Sequence, residues 1–90
     1  MVYRYMPVGV CSRQIDLELE DNVIKTVTFF GGCHGNLQGI SRLVEGMTVE
    51  EAVRRIQGIR CGGKATSCPD QLSKALQAAL NEEEKRKTAE

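Results

Sequence analysis

Ninety residues with 41% hydrophobic content suffice for one domain with a modest core, and with only two Tyr, two Phe and no Trp that core has to be aliphatic. Twelve basic residues against 12 acidic ones, net charge +0, leave no electrostatic footprint for nucleic acid, and the aromatic platform that stacks bases is missing too. No apolar run approaches the roughly 20 residues of a membrane span. The segment from Met1 to Tyr5 also lacks the basic-then-apolar pattern of a signal peptide, so the expected setting is the cytoplasm, with no nucleic acid and no membrane as partner.

Along the chain, Val2 to Val8 offers a first strand, placed at a sheet edge because Pro7 lacks the N–H that a central strand needs. From Gln14 to Glu20 apolar Ile15, Leu17 and Leu19 alternate with charged Asp16, Glu18 and Glu20, the period of a half-buried strand. Asp21-Asn22 reads as a turn and Val23 to Phe30, rich in β-branched and aromatic residues, as the returning strand of a hairpin. The period changes after the glycine loop Gly31 to Gly35. Asn36 is placed as the N-cap of a helix whose Leu37, Ile40, Leu43 and Val44 share a face, with Gly46 ending it.

Thr48 and Glu51 have capping-box spacing, and Val49, Ala52, Val53 and Ile56 make the stripe of a short second helix that stops at Gly58. A last helix opens at Ser67-Cys68-Pro69-Asp70, with proline and an acid in its first turn, where both are favoured. Leu72, Ala75, Leu76, Ala79 and Leu80 form its apolar face. Asn81 to Glu90 has no core-facing residue and is expected to be solvated or frayed. No internal repeat or linker divides residues 1–90, so they are read as one domain. The order β-β-β-α-α-α predicts an α+β fold, a small antiparallel three-stranded sheet with helices packed on one face.

Cys11, Cys33, Cys61 and Cys68 all fall beside turn chemistry, next to Gly9, between Gly32 and Gly35, before Gly62-Gly63 and before Pro69. In a reducing cytoplasm four cysteines point to metal binding, redox chemistry or buried thiols rather than disulfides. Cys33 and Cys68 fall at predicted helix starts, where the positive end of the helix favours a thiolate. Four thiolates form a tetrahedral site for Zn or hold an iron–sulfur cluster. His34, Asp70 and Lys64 are candidate alternative ligands or partners of the thiols. No pair has the C-x-x-C spacing of a zinc ribbon or a thioredoxin, so on the residues alone one shared site and scattered structural thiols both stand. The glycine loops match neither a P-loop nor a dinucleotide fingerprint.

Thr66-Ser67-Cys68-Pro69-Asp70 spells TSCPD, preceded by a cysteine ahead of the first long strand, FxGGCxGN at Phe29 to Asn36, GMTVEEA at Gly46 to Ala52 and CGGK at Cys61 to Lys64. Over about Tyr5 to Leu80 the chain resembles the TSCPD domain family, in its short stand-alone bacterial form. That domain also occurs fused to the C-terminus of adenosylcobalamin-dependent ribonucleotide reductases. The resemblance implies a cysteine-rich, metal-binding accessory module and not the reductase active site, which 90 residues cannot house. A ribonucleotide reductase or an iron–sulfur assembly protein is the implied partner, and a homodimer through a sheet edge or the helical surface is also open.

The order of elements is similar, more loosely, to IscU/NifU-type iron–sulfur scaffolds, which implies that Cys11, Cys33 and Cys68 converge with Cys61 on an adjoining loop. Those scaffolds carry a labilising aspartate where this chain has Arg13 and a histidine where it has Ser67. The difference favours a stable metal site over a cluster that is handed on. The alternatives to a metal module are a sulfur or iron–sulfur carrier, or a thiol redox or interaction protein in which Cys61 and Cys68, nearest in sequence, form a reversible disulfide.

Overall fold

A computed structural model describes residues 1–32 and 34–89, without the side chains of His34 and of residues 87–89. Three strands, β1 (Val2–Tyr5), β2 (Ser12–Glu20) and β3 (Val23–Gly31), precede three helices, α1 (His34–Val44), α2 (Val49–Ile56) and α3 (Cys68–Ala89). The sheet has the order β1-β2-β3 with both pairings antiparallel. The α+β architecture expected from the sequence is therefore the one observed.

The β2–β3 hairpin turns at Asp21 and Asn22, both with positive φ (49° and 68°), the backbone of a type I′ turn whose twist matches the strands it joins. Ile15, Leu17 and Leu19 of β2 point into the core as their alternation requires. They meet Ile24 and Val27 of β3, Val44 of α1, Val49 and Ala52 of α2, and Leu72, Ala75, Leu76 and Ala79 of α3. The wholly buried members are aliphatic, while Tyr3, Tyr5 and Phe29 pack partly buried at the margin. α3 lies on β1 and β2, α1 on β3, and α2 against α3.

Two register shifts break strict alternation, between Ser12 and Gln14 and between Glu18 and Leu19. Each inserts an extra residue into one strand and so reverses which face the chain presents beyond it. At the second, Leu19 pairs with Ile24 while Glu18 pairs with Thr26, so Ile24 joins the core although it lies an odd number of residues from Val27. The first acts at the start of β2 and turns Ser12 inward, to 3% exposure.

The free edge of β3 is partly covered. Ile24 N–H donates to Met47 C=O, Gly46 N–H to Ile24 C=O, and Val49 N–H to Asn22 C=O, so the α1–α2 connection lies along it. Further up, the Val27 N–H is capped by the Glu45 carboxylate at 3.2 Å, a charge that discourages another strand from pairing there.

The helices depart from expectation in four places. α1 starts at His34, so Asn36 sits inside the first turn instead of capping it. Its buried face is Leu37, Ile40, Ser41 and Val44, an i, i+3, i+4, i+7 set, and Leu43 is 75% exposed. Ser41 can hold the core-facing position because its hydroxyl donates to the Leu37 C=O (2.9 Å). Thr48 caps α2 by accepting from Glu51 N–H (3.3 Å), but Glu51 turns its carboxylate to Arg54 and Arg55 instead of back to Thr48. Those two guanidinium hydrogen bonds, Arg54 first, hold the Glu51 carboxyl below its ordinary range. Finally, α3 runs on to Ala89, and Glu83, read as part of a solvated end, is 8% exposed and accepts from the Asn22 N–H at 3.4 Å. Among the described residues no helix is long and apolar enough to cross a membrane.

Candidate functional site: a pocket lined by three thiols

The site forms where three chain segments meet at one end of the sheet. The first is the entry to β2. Turned inward by the bulge, Ser12 places its Oγ 3.4 Å from Cys68 Sγ, and Cys11 precedes it. Opposite Ser12, β3 ends at Gly31, which pairs with it. Gly32 follows at φ +80°, so close to this backbone that a Cβ there would lie 3.2 Å from Ser12 N and 3.5 Å from Cys11 C. Only glycine suits both that approach and that φ.

The second segment is the α2–α3 connection. Gly58 and Gly62 have positive φ, Cys61 N–H donates to Thr66 C=O (3.2 Å) and Lys64 N–H to Cys61 C=O (3.0 Å), a compact loop that carries Cys61 at its base. The third is the start of α3. Ser67 is its N-cap, accepting from Asp70 N–H (3.2 Å), while its own hydroxyl donates to Ile59 C=O (2.6 Å). Cys68 is the first residue of the helix, and Pro69 follows where its missing N–H costs nothing.

Cys11, Cys61 and Cys68 thus line a single pocket of about 340 Å³, with Lys64 on its wall and apolar Val10, Leu37, Ile40 and Pro69 around it. All three are free thiols, Cys11 and Cys61 exposed and Cys68 half-buried. A larger groove of about 710 Å³ lies between β3 and α1, lined by Thr28, Gln38, Ser41, Arg42 and Glu45 among others. Among the described residues no cysteine lines it, and the smaller pocket is the one that gathers the described thiols.

Cys33 lies outside the described residues, as does the side chain of His34. Residues on either side of them are placed: Gly32 approaches the Cys11–Ser12 backbone, and Asn36 and Leu37 line the thiol pocket. Lys64 is on the pocket wall. Asp70 is not, because its carboxylate accepts from Thr66 Oγ1 (2.6 Å) and Gly58 N–H (2.7 Å), with Lys74 Nζ 4.0 Å away. The Thr66 hydroxyl first, then the Gly58 N–H, hold the Asp70 carboxyl below its ordinary range against the opposing effect of burial, with Lys74 adding a little.

The donor chemistry, sulfur around a largely apolar pocket, suits a soft or borderline metal such as zinc or iron. Yet no three Cys, His, Asp or Glu side chains among the described residues stand close enough together to hold a metal ion. The described thiols face one cavity without closing a coordination shell, so a metal there would need a further ligand or a closer approach of these sulfurs.

Ser12 was absent from the sequence-derived site because its position in the alternation places it on the other face, and only the bulge brings it to Cys68. Gln71 and Thr66 carry no local signal of their role, because each acts through hydrogen bonds that form only when the segments meet.

Together, sheet, helices and pocket define a small α+β domain that brings thiols from two loops and a helix start to one cavity. The chain belongs to the TSCPD domain family, whose sequence profile matches residues 1–80. Neither a curated protein nor a solved structure matches the chain, so the likeness to iron–sulfur scaffolds rests on the order of residues alone.

Proposed function

We propose that this chain is a cytoplasmic thiolate metal-binding module, holding zinc or an iron–sulfur centre on Cys11, Cys61 and Cys68 together with Cys33, and that it serves as an accessory domain to a ribonucleotide reductase. One observation carries the reading: Cys11, at the entry to β2, lines the same pocket as Cys61 and Cys68 from the second half of the chain. The fusion of TSCPD domains to adenosylcobalamin-dependent ribonucleotide reductases supports the partner, and the lack of net charge speaks against nucleic acid. A bound metal would cross-link the β2 entry, the α2–α3 loop and the start of α3, adding stability to a domain with a small core. The chain's own contribution is to hold the sulfurs around an apolar cavity that limits water, with Lys64 offsetting thiolate charge.

A thiol redox role is the second reading, favoured by the exposure of Cys11 and Cys61 and by the open arrangement of the described sulfurs. Element analysis and a visible spectrum of protein purified without oxygen separate the two. The metal reading expects close to one zinc per chain, or iron with sulfur-to-iron absorption, and a lower Tm after chelation. Metal-free protein that takes up neither Zn²⁺ nor Co²⁺ and forms a reversible Cys61–Cys68 disulfide would sink it.

A further inference from the structure

The three cysteine-bearing segments are joined by one continuous chain of hydrogen bonds that ends on a single carboxylate. Val8 N–H, three residues before Cys11, donates to Gln71 Oε1 (3.0 Å). Gln71 Nε2 donates to Thr66 Oγ1 (3.0 Å), and Thr66 Oγ1 donates onward to Asp70 Oδ2 (2.6 Å). From the other side Gly58 N–H, three residues before Cys61, donates to Asp70 Oδ1 (2.7 Å).

Each donor direction is forced. The backbone N–H groups can only donate, Gln71 takes one with its oxygen and so presents its amide nitrogen, and Thr66 donates because the carboxylate it meets has no proton to give. The two arms end on separate oxygens of Asp70, an acceptor pair that an ionised carboxylate supplies, whereas a carboxamide has one oxygen and would turn an N–H toward one arm. Gln71 is 3% exposed and Asp70 7%, so water competes poorly for these bonds. The Thr66 methyl also lies 3.5 Å from where a Cβ on Gly9 would stand, so a side chain at Gly9 would meet the same latch.

We propose that Asp70 is the positioning residue of the thiol pocket: through Thr66, Gln71 and Gly58 it locks the segments carrying Cys11 and Cys61 to the helix turn carrying Cys68. The motif Thr66-Ser67-Cys68-Pro69-Asp70 then divides into one thiol that faces the pocket and a frame that aims it. Thr66 and Asp70 bind the neighbouring segments, Ser67 caps α3 and pins Ile59, and Pro69 starts the helix. This deepens the metal-module reading, but requires only that convergent thiols are the working groups.

The test compares wild type with T66V, D70N and T66S using two ligands and one check of fold. Phenylarsine oxide needs two thiols on one arsenic, its oxygen leaving as water, and so reports sulfur convergence without any metal. Co²⁺ titration followed by sulfur-to-cobalt absorption reports the metal site, and far-UV circular dichroism reports the helices. T66V and D70N are expected to keep their helical signal while affinity for both ligands falls about tenfold, and T66S, which restores the hydroxyl, to bind as wild type does. Tenfold corresponds to about 1.4 kcal/mol.

Folded T66V and D70N with both affinities within about twofold of wild type would overturn the proposal. So would loss of the helical signal in both, which would make the latch a requirement of the fold. If wild type binds the arsenical but not Co²⁺, the metal reading fails while the positioning role is still decided by the arsenical. If wild type binds neither, the thiols do not converge and both ideas fall.

Discussion

Replacing Gly32 by alanine tests how the thiol pocket is assembled, because two separate penalties meet at that residue. Its φ of +80° lies in the left-handed region, which costs an L-residue about 1–2 kcal/mol. The new methyl would also stand 3.0 Å from Leu37 Cδ1 and 3.2 Å from Ser12 N. The leucine end is buried and the second neighbour is backbone held in the β2–β3 ladder, so neither yields freely, and overpacking of this kind costs about 1–3 kcal/mol. Together G32A should lose about 2–5 kcal/mol, a large share of the stability of so small a domain. At about 4–8 °C per kcal/mol, Tm should fall by about 8–40 °C.

The matched control is G46A. Gly46 also has positive φ, +93°, but nothing lies within 4 Å of its Cβ position, so only the conformational penalty of about 1–2 kcal/mol applies. Urea unfolding of both variants gives the difference directly. If G32A and G46A agree within about 0.5 kcal/mol, the close approach of Gly32 to the Cys11–Ser12 backbone is not a real constraint and the pocket is not assembled through it.

Three further outcomes follow from particular contacts. E83A should lose about 1 kcal/mol in urea unfolding, because the buried Glu83 carboxylate accepts from the Asn22 N–H, whereas K85A on the exposed side of α3 should change stability by less than about 0.5 kcal/mol. N22G should gain about 0.5–1 kcal/mol, since Asn22 has φ +68° and its buried Oδ1 has no partner, and glycine relieves both at the cost of one exposed bond to Glu50. Asp70 supplies the pH dependence. Its folded pKa lies below the unfolded value, so its contribution is fully present above the unfolded value and is lost as pH falls through the folded one. Urea midpoints of wild type should therefore drop more steeply than those of D70N below about pH 4, and parallel curves would contradict the carboxylate's place in the latch.

The parts of the fold that were legible in the sequence share a short range. Ile15, Leu17 and Leu19 declare their strand by alternation, Leu72, Ala75, Leu76 and Ala79 their helix by spacing, and Thr48 and Ser67 their caps by residue type. Leu43 shows the limit of reading by hydrophobicity alone, because the period of α1 calls for residue 41 at the core, and a serine that satisfies its hydroxyl within its own helix can take that place. Glu83 shows another, since nothing local distinguishes it from its charged neighbours. What buries it is the hairpin turn at Asn22, 61 residues away.

Sequence by itself determined the class of this domain, its three strands and three helices and its family, because periodicity, turn chemistry and the TSCPD motif are local properties of the chain. It also marked Cys11, Cys33 and Cys61 as residues of glycine-bearing turns and Cys68 as the start of a helix. Tertiary structure alone decided that Cys11, Cys61 and Cys68 share a cavity, and how. A bulge in β2 reverses the face of Ser12 and joins it to Cys68 across 56 residues, and the contact from Val8 to Gln71 spans 63. Bulges and long-range hydrogen bonds have no period to betray them. They exist only once the sheet and α3 have packed, which is why the thiol pocket becomes visible only in the folded chain.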